Sequence, residues 1–180
     1  MKHAALILCW VVLLSSCKEV SFREPQPRGI TPLEGIPKGL QGNYVGMDER
    51  GDNTDTLIVE SWGYHFRDTK DKDWLGRGVI SDSLVIKYYQ NYYFINFRSG
   101  DQWVLRLVKQ KSNGAIEFMA ISVNDDAKRK EILRKLSRKI GVKEIERKGD
   151  TFYQVDPTKE QLMDLIKNGF FTGNELHKVK

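Results

Sequence analysis

Two cysteines, three histidines and two acid-rich loops carry most of the reactive chemistry this chain could perform, and spacing decides what each can do. Cys17 closes the stretch Leu13-Leu14-Ser15-Ser16-Cys17, at the end of an uncharged run over residues 4–14. A thiolate is a nucleophile and can take up a lipid or bind a metal. Cys9 lies inside the apolar run, so nothing after residue 17 can form a disulfide or perform thiol catalysis. His3 sits in the positively charged start, His65 lies between Tyr64 and Phe66, and His177 is near the end. No two of them have metal-ligand spacing. A Ser-His-Asp site on His65 would lack a Gly-x-Ser-x-Gly elbow, so His65 reads as a surface or hydrogen-bonded histidine. The loop 48–55 fails the calcium pattern, because the twelfth position from Asp48 is Val59 rather than Glu. In 68–73 lysines alternate with the acids and offset the field a cation needs. Both read as polar loops, and no catalytic residue, metal or cofactor is assigned.

Two further groups could bind without catalysing. Residues 128–148 hold ten basic and three acidic side chains. The plain reading is a solvated helix face, since Lys and Arg are good helix formers. The functional reading is contact of Lys135, Arg138 and Lys139 with an anionic lipid or glycan. Tyr88, Tyr89, Tyr92 and Tyr93 offer rigid amphipathic surface. Strand alternation predicts Tyr88 and Tyr93 in the core and leaves Tyr89 and Tyr92 as candidate ligand contacts.

The segment around Cys17 has the order of an export signal. Lys2 is followed by an apolar run about half the length of a membrane span, with the dimensions of a secretory h-region. The competing reading, a buried amino-terminal core helix, has no polar face to set against solvent. Leu14-Ser15-Ser16-Cys17 resembles the lipobox of bacterial lipoproteins. That resemblance covers residues 1–17 and implies a diacylglyceryl thioether on Cys17, cleavage between Ser16 and Cys17, and acylation of the freed amine. Two acyl chains at about 0.8 kcal/mol per buried CH₂ would give attachment on the order of 20 kcal/mol. The residue after Cys17 is Lys18, not the Asp that retains lipoproteins at the inner membrane in enteric bacteria, so the outer membrane is expected. Cys17-Lys18-Glu19 also partly resembles a surface-export tag, leaving the protein periplasm-facing or surface-exposed. The remainder resembles small envelope lipoproteins of Gram-negative bacteria in general style, a resemblance that carries no activity.

The elements that must position these residues follow from periodicity. Residues 18–39 carry Pro25, Pro27, Pro32 and Pro37, each of which removes a ladder donor and fixes φ. They read as a Pro-rich tether reaching roughly 60 Å, its later part packing on the domain. Strands are expected at 40–46, 55–61 and 64–68; Leu40-x-Gly42-x-Tyr44 resembles the opening strand of lipocalin-like barrels in a short motif. Residues 82–122 predict a four-stranded antiparallel meander. A two-residue loop at Gln90-Asn91 sets Tyr88, Ile86 and Leu84 opposite Tyr93, Ile95 and Phe97 on one face. A three-residue loop at 99–101 sets Trp103 opposite Phe97 and Leu105 opposite Ile95, and Asn113-Gly114 predicts a type I′ turn. Two helices follow. The first is capped by Asp125 or Asp126 and ended by Gly141, with Ile132, Leu133, Leu136 and Ile140 facing the core. The second is capped by Asp156, with Pro157 at its first position, Gly169 past its end, and Leu162, Met163, Leu165 and Ile166 inward. A hairpin around 148–150 lies between them, and the last residues add an edge strand.

The expectation is an α+β chain: a signal peptide over 1–16, lipidated Cys17 and tether over 17–39, and one domain over 40–180. That domain comprises a meander over 40–123, curling toward a half-barrel, and a helix-hairpin-helix part over 124–180. Net charge of +5 is too small to imply nucleic acid. The leading functional reading is a lipid-anchored, non-enzymatic binding or assembly module of the envelope with no protein partner named. The alternative is an envelope hydrolase.

Overall fold

Alternation decides the first element. In Lys18–Phe22 (β1), Val20 and Phe22 are buried on one face and Glu19 and Ser21 on the other. The structure, a computed structural model, describes residues 18–47, 55–67, 76–147 and 149–179. Ser16, Cys17, the cleavage junction and nearly all of both acid-rich loops lie outside them. β1 pairs parallel with Asp150–Val155 (β11) and antiparallel with Gln102–Gln110 (β8). The tether expected to start at Cys17 is therefore an interior strand over its first described residues. The prolines begin only at Pro25, so every residue of Lys18–Phe22 keeps its ladder donor. The following prolines are also packed down: the buried Lys87 ammonium donates to the carbonyls of Pro25 (2.8 Å) and Pro27 (2.9 Å). Gln26 and Asn96 exchange bonds through the Gln26 backbone N–H (2.7 Å) and carbonyl (2.8 Å). Burial lowers the Lys87 pKa, and nearby Glu24 partly opposes that.

The meander forms as expected from Leu84–Tyr89 (β6), Tyr92–Ser99 (β7), β8 and Ile116–Ala120 (β9). Gln90 and Asn91 both have positive φ, and Tyr88, Ile86 and Leu84 pair with Tyr93, Ile95 and Phe97. The next two turns differ from expectation. Ser99 pairs with Gln102, so the loop has two residues, with Gly100 at positive φ in its first central position, as in a type II′ turn. This shifts register by one residue: Trp103 faces Arg98, Leu105 faces Asn96, and Leu105 turns to the opposite side of the sheet. At Ser112-Asn113-Gly114 only Gly114 has positive φ, and Lys111 N–H bonds the Ala115 carbonyl. That is a three-residue loop with a bulge, not a type I′ turn.

Gly42–Val45 (β2), Leu57–Glu60 (β3), Gly63–Phe66 (β4) and Arg77–Val79 (β5) form an antiparallel run. Thr172–Val179 (β12) is interior rather than an edge strand. Its first part pairs with β9 and its last residues with β2, joining that run to the meander. Gly173 permits this, since a Cβ there would lie 1.8 Å from the Phe118 carbonyl oxygen. Val142–Arg147 (β10) pairs with β11 at the far side. Twelve strands among the described residues thus form one mixed sheet, not a purely antiparallel one. Strand dominates at 49% of the described residues, which also include two helices.

Asp126–Ser137 (α1) begins at the Asp125 cap and stops at Arg138, short of Gly141. Leu136 and Ile140 are buried, while Ile132 and Leu133 are half-buried. Lys159–Lys167 (α2) is capped by Thr158, not Asp156: the Thr158 hydroxyl accepts from Gln161 N–H, and the Gln161 side chain reaches back to Thr158 N–H. This reciprocal box outcompetes a plain Asp cap because it satisfies two donors at once. Gly169 N–H bonds Ile166 O and Phe170 N–H bonds Leu165 O, the two bonds of a Schellman stop. Both helices pack on the face of β1, β8 and β11 that carries Val20, Phe22, Leu105 and Val155. A second core, containing Tyr44, Ile86, Ile95 and Phe97, lies on the opposite face of the meander.

Candidate functional site: an apolar cavity in the second core

Period-two alternation aims one row of side chains from each strand into a common space. Leu57 and Val59 come from β3, Tyr64 and Phe66 from β4, Ile95 and Phe97 from β7, and Ile116 and Phe118 from β9. Ile86, Val108 and Leu176 join them from β6, β8 and β12. The space they line is about 460 Å³, within the size range of small-molecule sites. Tyr64 and Phe97 meet edge to face at 6.2 Å, a favourable aromatic contact that helps hold both rings in the wall.

One side is closed by the chain leading into β2, which places Ile36 and Leu40 on the cavity. This segment is tied on by its own polar groups. Ile36 N–H bonds Ser61 O at 2.8 Å, Gln41 Nε2 bonds Ile36 O at 2.7 Å, and Gln110 Nε2 bonds Gly39 O at 2.9 Å. The buried Tyr44 hydroxyl donates to Leu40 O at 2.9 Å, and burial raises its pKa. A smaller recess of about 370 Å³ shares Leu57, Phe66, Phe118 and Leu176 with the cavity. It adds Asp55, Thr172 and Asn174, so polarity rises in passing from one space to the other.

Among the described residues lining the cavity, Tyr64 alone carries a polar side-chain atom. Such a wall can hold an apolar molecule by removing its surface from water. No family model, curated protein or solved structure matches this chain. The cavity therefore has to be read from its own residues.

The expected ligand tyrosines lie elsewhere. Tyr89 and Tyr92 pack against the helix-side core, under the ammonium groups of Lys159 (5.3 Å) and Lys109 (5.5 Å). Tyr88, expected in the core, is 45% exposed at the hairpin end, with its ring 4.7 Å from that of half-buried Tyr93. Strand alternation sorted the faces correctly but could not locate the strand end, where a face runs out of neighbours. Lys135, Arg138 and Lys139 are all exposed. Lys135 pairs with Glu131 and Lys139 with Asp164, each at 2.7 Å, and these lysines lower the pKa of both acids. Arg138 has no acidic partner among the described residues. His65 Nδ1 lies 3.8 Å from Glu60 Oε2, and its ring stacks on Trp62 at 6.0 Å. His177 Nδ1 is 3.7 Å from Glu175 Oε1. Among the described residues, no three His, Cys, Asp or Glu side chains gather as a metal site.

Sequence reasoning missed one further arrangement. Arg106 and Glu19 form a buried bidentate pair at 2.6 and 3.2 Å. Beside it Ser21 and Gln154 both donate to Gln102 Oε1. The available signal was Arg106 itself, a charge set between Leu105 and Leu107 in a strand where both neighbours are apolar.

Proposed function

We propose that this chain is a non-enzymatic binding module of the bacterial envelope, held to the outer membrane by a lipid on Cys17, that takes an apolar ligand into the cavity. The observation that carries the reading is the apolar lining drawn from seven strands. In this proposal β2–β9 and β12 curl around the space as a half-barrel, with residues 36–40 closing one side. The anchor reading keeps its basis in the Leu14-Ser15-Ser16-Cys17 pattern. It gains a consequence from β1: Lys18 is already in the sheet, so the lipid would hold the domain against the bilayer rather than at the end of a long tether. Lys18 Nζ lies 3.1 Å from Asp126 Oδ1, so in this proposal the start of α1 lies on the membrane-facing side. An anionic lipid or glycan contact through Lys135, Arg138 and Lys139 remains part of the proposal, with Arg138 its main contributor because the two lysines are paired within the chain.

The test is a titration of the chain from Lys18 onward with the neutral fluorophore N-phenyl-1-naphthylamine, alongside Val108→Trp. Val108 is buried on the cavity wall, so a tryptophan there occupies the space. Saturable fluorescence enhancement in the wild type, lost in a folded Val108→Trp, is the expected result. Equal enhancement in both would remove the cavity reading.

A further inference from the structure

Some cations of α1 and its end meet acids and others do not, and the division follows the helix geometry. Lys128 pairs with Asp125 at 3.7 Å, Arg129 with Asp126, Lys135 with Glu131 at 2.7 Å and Lys139 with Asp164 at 2.7 Å. Lys130, Arg134 and Arg138 form no salt bridge among the described residues, and all three are exposed. Glu131 feels the charge of Arg134, but its bond goes to Lys135. Spaced four residues apart, the three stand in one row on a side of the helix away from buried Leu136. Neighbours in the row are about 6 Å apart along the axis, and its ends about 12 Å. Like charges at this spacing repel and destabilise a helix. Anions lying along the row relieve that repulsion. The surface of a helix is convex, so three cations in line do not converge on one small anion. They match a flat array of negative charges.

The choice of array rests on the anchor reading above. Lys18, next to Cys17, bonds Asp126, the first residue of α1, at 3.1 Å, so a lipid on Cys17 would bring this helix to a bilayer. We propose that Lys130, Arg134 and Arg138 contact the headgroups of anionic phospholipids and lay α1 along the bilayer surface. Lys135 and Lys139 contribute less, because Glu131 and Asp164 hold them. Each basic residue at such a surface strengthens binding about fivefold, and salt screens the effect.

The test uses the full chain, made by cell-free synthesis without lipidation. It is sedimented with vesicles of phosphatidylcholine alone and of phosphatidylcholine mixed with phosphatidylglycerol. The apolar run near the amino terminus acts on both, so the ratio of the two affinities reads charge. At low salt Arg134→Gln should lower that ratio about fivefold, and the triple Lys130→Gln, Arg134→Gln, Arg138→Gln on the order of 100-fold. The matched triple Lys128→Gln, Lys135→Gln, Lys139→Gln removes the same charge and should lower it less than about tenfold. The row triple should unfold in urea no earlier than the wild type, since it loses only repulsion. Equal losses in the two triples, or no loss in either, would overturn the row. Weaker binding of the row triple to dextran sulfate with an unchanged vesicle ratio would overturn the phospholipid assignment in favour of an anionic glycan. Palmitate labelling of Cys17 tests the anchor separately, so the two readings fail independently.

Discussion

Phe22→Ala separates a structural β1 from a tether. Phe22 is 1% exposed and sits in the helix-side core with Leu105, Leu107 and Val155. Truncating a buried Phe removes its transfer free energy and leaves a cavity that surrounding side chains fill only in part, at a cost of about 3–5 kcal/mol. β1 is hydrogen-bonded on both edges, to β11 and β8, so its backbone is poorly placed to move inward and collapse that cavity. The upper half of the range is expected, against a total stability of roughly 5–15 kcal/mol for a domain of ordinary size. Thr31→Ala is the control: Thr31 is exposed, and such a change falls within about 0.5 kcal/mol. Urea unfolding followed by tryptophan fluorescence gives both numbers, provided the slope with denaturant is unchanged. A Phe22→Ala cost below about 1 kcal/mol would mean that the segment after Cys17 is not built into the core.

Three further outcomes are expected. Arg106→Met alone should destabilise by about 3–5 kcal/mol, because it strands the buried Glu19 carboxylate, whereas Arg106→Met with Glu19→Leu should recover most of the loss in the same unfolding assay. The pKa values of Asp126, Glu131, Asp164 and Glu175 are lowered, chiefly by hydrogen bonds from Arg129, Lys135, Lys139 and Lys111. Their contribution to stability is complete above the ordinary carboxyl range near 4 and is lost as pH falls through the lowered values. Urea midpoints should therefore fall on the acid side, with a shallower acid limb in Lys111→Met and Lys139→Met. Full-length chain carrying Arg138→Glu should sediment less with anionic vesicles than the wild type, with Lys135→Glu the weaker of the two changes; equal binding by all three would remove the anionic contact.

The β6–β7 hairpin was legible because Gln90-Asn91 and two alternating strands agree on one register, and that register aims Ile86, Ile95 and Phe97 into the cavity. Where local signals were ambiguous, the error was one residue. Ser99-Gly100-Asp101 accommodates a loop of either two or three residues, and the choice moves Leu105 from one core to the other. The parallel pairing of β1 with β11 was not legible. It joins residues more than a hundred positions apart, and the prolines just downstream hid a short polar-apolar alternation in Glu19-Val20-Ser21-Phe22. The cavity was half legible: single strands show which residues point inward, but the void between them depends on how far the sheet curls. No local pattern records that.

Methyl-resolved NMR of isoleucine tests the binding account most directly. Ile36, Ile86, Ile95 and Ile116 line the cavity, whereas Ile121, Ile140 and Ile166 belong to the helix-side core. On addition of dodecanol the first set should shift saturably with a single affinity while the second stays in place. Shifts confined to the second set, or no shift in either, would contradict it.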